Sequence, residues 1–311
     1  MTQATPFQGP LAEFATHLLE GHPYRPIRRI GGGAMGEVFE IEHQTMGRRL
    51  ALKSLRLRLG VEPPAADRMR IEAQTAGRLC HPNIVNAVDF WITPEGFPCF
   101  VMELLTGASL ADELRRRRRL PMLSATKVAI QVLSALGAAH ALGIVHRDIK
   151  PENLFVCRVA GRAPWIKVLD FGIARVLPDA LIGAPAPLSV PTVTGTMVGT
   201  PRYMSPEALE GQRVDLRADL YSLGVVLYVM LAGTGPFDRA EHGQSLDAPP
   251  PPSHWLADDT SAEPEGARAE LDRIVLRSIR ERPEHRYPSA TEFAEDLKRL
   301  RSALKQTAGA A

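Results

Sequence analysis

The chain has 311 residues, 45% of them hydrophobic and 23% charged, with a net charge of +2. That balance excludes a disordered chain, calls for no polyanionic partner such as nucleic acid, and leaves enough length for one large or two small domains with a sizeable core. Cys80, Cys99 and Cys157 are odd in number and form no C-x-x-C pair, which suits a reduced cytoplasmic protein better than a disulfide framework or a zinc site.

No basic segment followed by an apolar run opens the sequence, so no secretory signal is expected. The longest apolar stretch, Leu220 to Ala232, contains Ser222 and falls short of the ~20 residues a bilayer requires. It is expected to be a buried helix, with no membrane segment in the chain. Residues 1–23 form an extension in which Leu11, Phe14, Ala15, Leu18 and Leu19 recur at helical spacing, bounded by Pro10 and Gly21. This pattern predicts a terminal helix packed on the domain, with a regulatory or docking helix as the alternative.

From Tyr24 the pattern changes to strands. Tyr24 to Ile30 leads into Gly31-Gly32-Gly33-Ala34-Met35-Gly36-Glu37-Val38, a G-x-G-x-x-G-x-V run whose glycines allow a tight turn and close approach to phosphates. A dinucleotide-binding turn shares that spacing but should open into a helix. Here Glu37 to His43 alternates with period two, so a strand follows, and Arg49-Leu50-Ala51-Leu52-Lys53 makes a third. Ala65 to Leu79 reads as a helix containing Glu72, and Ile84 to Trp91 and Phe97 to Met102 as two further strands. Ser109 to Leu114 opens the second half, followed by the run Arg115 to Arg119. That run is expected to be a solvated helix end whose dipole favours cations, with a dock for an acidic substrate as the alternative. Val128 to Leu142 is apolar all round and predicts a buried core helix, with His140 packed inside it.

The chemistry concentrates in His146-Arg147-Asp148-Ile149-Lys150-Pro151-Glu152-Asn153 and in Asp170-Phe171-Gly172, which follows the β-like run Trp165 to Leu169. A carboxylate, an ammonium and a carboxamide within six positions suit phosphoryl transfer, with a second Asp to help hold Mg²⁺. Asp170 to Glu207 has the Pro, Ser, Thr and Gly content of a mobile loop and ends Gly199-Thr200-Pro201-Arg202-Tyr203-Met204-Ser205-Pro206-Glu207. Together these motifs resemble the Hanks-type (eukaryotic-like) protein Ser/Thr kinases, in particular their bacterial members, over about residues 24–304.

The resemblance implies an α+β, two-lobed kinase fold: a mostly β N-lobe (24–103) with one main helix, a hinge at 104–107, a mostly α C-lobe (108–304) and a tail (305–311). It implies ATP and Mg²⁺, or Mn²⁺, in the cleft between the lobes. Ile30, the loop Gly31 to Val38, Ala51, Met102, Glu103, Leu105 and Phe155 would surround the nucleotide, with Lys53 on the α/β-phosphates and Glu72 as its ion-pair partner. Asp148 would accept the substrate hydroxyl's proton, Lys150 would contact the γ-phosphate, and Asn153 and Asp170 would hold the metal. Thr200 would bridge Asp148 and Lys150, Glu207 would pair with Arg286, and Asp219 would support the catalytic loop. Thr192 and Thr194 match activation-loop phosphosites, with self-association for trans-autophosphorylation, a Ser/Thr-bearing protein as substrate, no nucleic acid, and a cytoplasmic location. Two departures stand out. Ser205 replaces an alanine, and 238–247 is too polar and broken to promise the docking helix expected there.

Overall fold

The computed structural model describes residues 7–33, 36–55, 77, 79–170, 201–238, 249–256 and 265–308. The described residues up to Thr106 form one compact unit and those from Gly107 onward form another. In the first unit, period-two alternation builds five antiparallel strands in the order β1-β2-β3-β5-β4: β1 (Tyr24–Gly33), β2 (Gly36–His43), β3 (Arg49–Leu55), β4 (Ala87–Ile92) and β5 (Pro98–Glu103). Opposite partners in an antiparallel ladder share a face. The pairings Val38↔Lys53 and Ala51↔Met102 therefore gather those four side chains on one side of the sheet. Phe39, Ile41, Leu50, Leu52, Cys99 and Val101 alternate with them and form an apolar layer on the other side, all buried.

That apolar layer is covered by the extension. Helix α1 (Pro10–Leu18) buries Ala12, Ala15 and Leu18, and Leu18, Leu19 and Ala15 belong to the same core as Phe39, Ile41, Leu50 and Leu52. Trp91 Nε1 donates to the Leu18 carbonyl at 3.1 Å, and the His22 ring stacks on Trp91 with centroids 3.9 Å apart. The packed-helix expectation therefore describes residues 10–22, which join the sheet's core and are no separate segment. The predicted stripe holds at Ala15, Leu18 and Leu19, with Phe14 packed against the same core, and fails only at Leu11, which is 39% exposed while Ala12 is buried. Under this cover burial pushes the Cys99 thiol up to about 12, so it packs as a small apolar group.

The second unit combines a small antiparallel sheet, β6 (Gly107–Ser109), β7 (Leu154–Cys157) and β8 (Trp165–Val168), with six described helices: α2 (Leu110–Arg117), α3 (Met122–His140), α4 (Pro206–Leu209), α5 (Arg217–Ala232), α6 (Glu265–Ser278) and α7 (Ala290–Ala308). Ser109 caps α2, its hydroxyl accepting the Asp112 N–H at 3.1 Å. Helix α5 is buried from Ala218 to Leu231, as its unbroken apolar run predicts. A Cβ on Gly224 would run into Ser278 and Ile279, so the missing side chain is what lets α6 approach. Helix α3 is 19 residues long and apolar enough to cross a bilayer, but it packs against α5, α7 and β8. It begins at Met122 where periodicity suggested Val128, and α7 carries the supposed tail as far as Ala308. Strand β6 has no counterpart among the expected elements, because three residues are too few for a periodic signal.

Leu18 is buried against the sheet, so Leu18→Ala should cost about 2–5 kcal/mol of stability. The exposed Leu11→Ala should stay within about 0.5 kcal/mol of wild type. Denaturant unfolding of both variants checks this, and equal midpoints would show that α1 does not belong to the core.

Candidate active site

The second unit holds its site together through one buried carboxylate. Asp219, at the start of α5 and fully buried, accepts the backbone N–H of His146 at 2.8 Å and of Arg147 at 2.7 Å. Its Oδ2 also meets His140 Nε2 on α3 at 2.8 Å. Arg147 has φ 64°, a left-handed conformation that a non-glycine residue adopts at a cost of roughly 1–3 kcal/mol, and the bond from its N–H helps hold it there. His146 adds a second tie. The Asp148 N–H donates to its Nδ1 at 3.2 Å, so the ring proton sits on Nε2 and reaches the Leu169 carbonyl at 2.9 Å.

The turn that follows brings three predicted residues together. Lys150 Nζ donates to both oxygens of Asp148, at 2.9 and 2.8 Å, and Asn153 Nδ2 donates to Asp148 Oδ2 at 2.8 Å and to its carbonyl at 2.9 Å. The Asp148 side chain remains 41% exposed, so this fixed carboxylate is open to a substrate. Asn153 sits in the turn Pro151–Asn153, and its carbonyl accepts the Leu169 N–H at 2.8 Å. That bond and the His146–Leu169 bond fasten the residue before Asp170, whose own φ is 44°. Asp170 and Asn153 are thus carried by one hydrogen-bonded frame.

The donor set suits a hard divalent cation. Asn153 commits its Nδ2 to Asp148, so its Oδ1 is the atom it would offer a metal, and Asp170 would add a carboxylate. Among the described residues no cluster of three or more His, Cys, Asp or Glu could hold a metal unaided. Mg²⁺ needs only one or two such protein ligands when phosphates and water complete its shell.

In the first unit the expected nucleotide residues Val38, Ala51, Lys53 and Met102 share one face of the sheet, opposite the face that α1 covers. The glycine hairpin above them is paired Gly31↔Val38, Gly32↔Glu37 and Gly33↔Gly36. Its Glu37 is buried in an ion pair with Arg29, Nε to Oε2 2.6 Å, so the Glu37 side chain is committed within the hairpin. A Cβ on Gly32 would strike that pair, which gives this glycine a structural reason beyond phosphate access. The Glu103 N–H donates to the Asn86 carbonyl at 3.0 Å, so an adenine edge would find its carbonyl. Ile30 is 38% exposed, Leu105 is half-buried and, in the second unit, Phe155 lies opposite Ser109 and Lys167.

Glu207, in the short helix α4, meets Arg286 in a bidentate pair at 2.8 and 2.7 Å. The Arg286 side chain is completely buried, donates also to the carbonyls of Arg280 and Glu281, and lies over the Tyr221 ring. Burial would raise the Glu207 pKa, but the bidentate bonds from Arg286 and the backbone N–H outweigh it and hold the carboxyl below its ordinary range. Ala34, Met35, Glu72, Thr192, Thr194 and Thr200, and residues 239–247 of the questioned docking helix, lie outside the described residues. Sequence reasoning gave no role to Arg29 or His146, and it read His140 only as a packed side chain. A strand arginine and two histidines have no local pattern that announces their partners.

Residues 24–296 match the family model described as the protein kinase domain. The chain belongs to the protein kinase family. It is 41% identical over 281 residues to the serine/threonine-protein kinase Pkn1 of Myxococcus xanthus, covering 88% of this chain and 38% of Pkn1. To the serine/threonine-protein kinase PknB of Mycobacterium tuberculosis it is 36% identical over 279 residues, covering 87% of this chain and 42% of PknB. The chain thus spans about two fifths of the length of these curated relatives. A crystal structure of the M. tuberculosis PknI kinase domain aligns with a TM-score of 0.66 at 28% identity, over 89% of this chain and 95% of that one. The α+β kinase fold, with a β-sheet N-terminal region and a helical C-terminal region, is that of the family, which uses ATP and a divalent metal.

Two predictions follow from this kinase frame. Asp219→Asn turns an amide donor toward backbone donors, so the Arg147 turn should loosen, and kcat should fall about 10²-fold with nucleotide affinity little changed. Phosphorylation rates and equilibrium ATP binding measured together check this; unaltered kcat would remove Asp219 from its positioning role. Glu207→Ala leaves Arg286 buried and unpaired, at a cost of about 3–5 kcal/mol. Because the folded Glu207 carboxyl is more acidic than its ordinary 4.5, its stabilisation is complete at neutral pH and is lost as pH falls below that value through the folded pKa. Denaturant unfolding across that pH window should show a steeper acid loss for wild type than for Glu207→Gln.

Proposed function

We propose that this domain transfers the γ-phosphoryl group of ATP to serine and threonine hydroxyls of protein substrates, with Mg²⁺ as the metal and Mn²⁺ as an alternative. The observation that carries this reading is the Asp148 carboxylate, exposed on one side and held on the other by Lys150 and Asn153. A carboxylate fixed in this way can orient a hydroxyl and accept its proton from Oγ as the oxygen attacks phosphorus. Asp148 Oδ1 carries a single bond, from Lys150, and is the more available of the two oxygens. Lys150 is close enough to neutralise charge on a phosphoryl group brought to Asp148, and Lys53 would hold the nucleotide's inner phosphates. When bound between Asn153 and Asp170, the metal would screen phosphate charge. The chain's own contribution is chiefly positioning and fixed charge, with no covalent intermediate required. Lys53, Asp148, Asn153 and Asp170 are all present, which favours a catalyst over a pseudokinase scaffold.

The same reading includes autophosphorylation in trans at Thr192 and Thr194, since a phosphate adds charge and acceptor oxygens that Arg147 could meet. A cytoplasmic location is part of the proposal, supported by the need for ATP and by three free cysteines. Incubating the purified protein with ATP, Mg²⁺ and a generic protein substrate tests it. Mass spectrometry should find phosphate on substrate Ser or Thr and on Thr192 or Thr194. Asp148→Asn, nearly isosteric, should slow both by at least the ~10²-fold assigned to a positioned general base. Near-wild-type turnover in that variant would refute the assignment of Asp148, and phosphate confined to tyrosine would refute the substrate class.

A further inference from the structure

The arginine run does more than end a helix. Glu113, on α2 and only 4% exposed, gathers three guanidinium groups: Arg116 at 2.6 Å, Arg117 at 3.4 Å and Arg158 at 2.9 Å. Arg158 comes from the end of β7, so two separate elements aim positive charge at one point. A single carboxylate offsets one of those charges. Beside them Arg115 pairs with Asp112 at 2.8 Å, and Arg118 is exposed at the helix C-cap. Arg119 is spent differently, donating to the Trp255 carbonyl. Among the described residues, Arg115, Arg116, Arg117 and Arg158 pair with Asp112 and Glu113 alone, and with Arg118 beside them the patch carries an excess of positive charge in a chain whose total is +2.

An ordinary solvated face would hold long, mobile side chains with little fixed geometry. Here the shared carboxylate is buried while the guanidiniums around it stay open. Arg115, Arg116, Arg117 and Arg158 are 73%, 64%, 57% and 44% exposed. A guanidinium has five donors, and the one or two each spends on Glu113, Asp112 or the Asp112 carbonyl leave donors over for a further carboxylate. Helix α2 also packs against the Pro151–Asn153 turn and β7, so a chain lying along α2 runs close to the loop that carries Asp148.

We infer that the Arg115–Arg118/Arg158 surface docks an Asp/Glu-rich segment of the protein substrate and so selects substrates whose phosphorylated Ser or Thr is linked to an acidic stretch. This rests on the Ser/Thr kinase reading above and names its substrate class. The patch acts on encounter and ground-state binding, so it should appear in KM and in salt dependence.

The test uses two peptides with the same Ser/Thr acceptor, one joined to a run of Asp and Glu and the other to Asn and Gln. Binding is followed without ATP by fluorescence anisotropy, and KM by phosphate transfer. Wild type should prefer the acidic peptide by about tenfold in both readouts, with the preference fading as salt rises. The triple variant Arg115→Gln, Arg117→Gln, Arg158→Gln should bring the KM ratio near one. Arg282→Gln, Lys298→Gln, Lys305→Gln, the same charge change elsewhere on this unit, should leave the ratio intact. Arg115→Glu spares the Glu113 cluster and should reduce the ratio even if the triple variant folds poorly. Equal wild-type affinity for both peptides, or a preference that survives the arginine changes, overturns the docking surface while phosphorylation itself stands. Arginine-dependent binding with no phosphate transferred to either peptide overturns the kinase reading alone. A third peptide carrying phosphoserines in place of the Asp/Glu run completes the test, and binding of that peptide alone overturns the carboxylate assignment.

Discussion

A carboxylate with no exposure to solvent is tolerated when hydrogen bonds replace the water it has lost, and at Asp219 those bonds come from the segment that must be held still. The backbone of His146 and Arg147 and the ring of His140 converge on it from separate stretches of sequence. Without that acceptor the His146 N–H would be buried unpaired, and the left-handed turn at Arg147 would lose a bond that holds it. The positions of Asp148, Lys150 and Asn153 follow from the turn. The penalty for an unpaired buried group thus becomes a device for fixing the backbone beside the reacting atoms.

Arg286 is a second instance of the same economy. Its guanidinium takes on Glu207, three carbonyls and the face of Tyr221, joining α4, α5 and the segment before α7. A hydrophobic side chain could fill the volume, but it could not specify which carbonyl lies where. The α5 helix starts between these two buried charges. Its remaining length is apolar on every side, so polar anchoring at one end is combined with packing along the rest.

How much of this was legible in the sequence depends on whether a residue's role is written in its neighbours. Asp148, Lys150, Asn153 and Asp170 sit in short motifs whose spacing carries the chemistry, and the glycine run and alternation of β2 and β3 told a strand from a helix. The cover on the sheet was legible only as a stripe, right at Ala15, Leu18 and Leu19 and wrong at Leu11, because periodicity does not say which surface a helix meets. Strand β6 was too short to register, and the helix start at Met122 lies outside the continuous apolar run from which that helix was read. Gly32 looked like one more phosphate glycine until the Arg29–Glu37 pair appeared above it. Likewise, a run of arginines gave no hint of a buried Glu113 or of Arg158, some forty positions away, because that convergence is made by the fold.

The alternation in β3 sets two unlike tasks side by side. Leu52 is fully buried beneath α1, while its neighbour Lys53 belongs to the opposite face. Sliding β3 by one residue would send the ammonium of Lys53 into the apolar layer and Leu52 toward the nucleotide side. A sheet open to water on that layer would penalise such a slip only weakly, since the displaced charge would stay hydrated. With α1 seated there, the slipped state must bury an unpaired charge. The extension therefore acts as a proofreader of strand register, and the alignment of Val38 with Lys53 is enforced from the side of the sheet that takes no part in the chemistry.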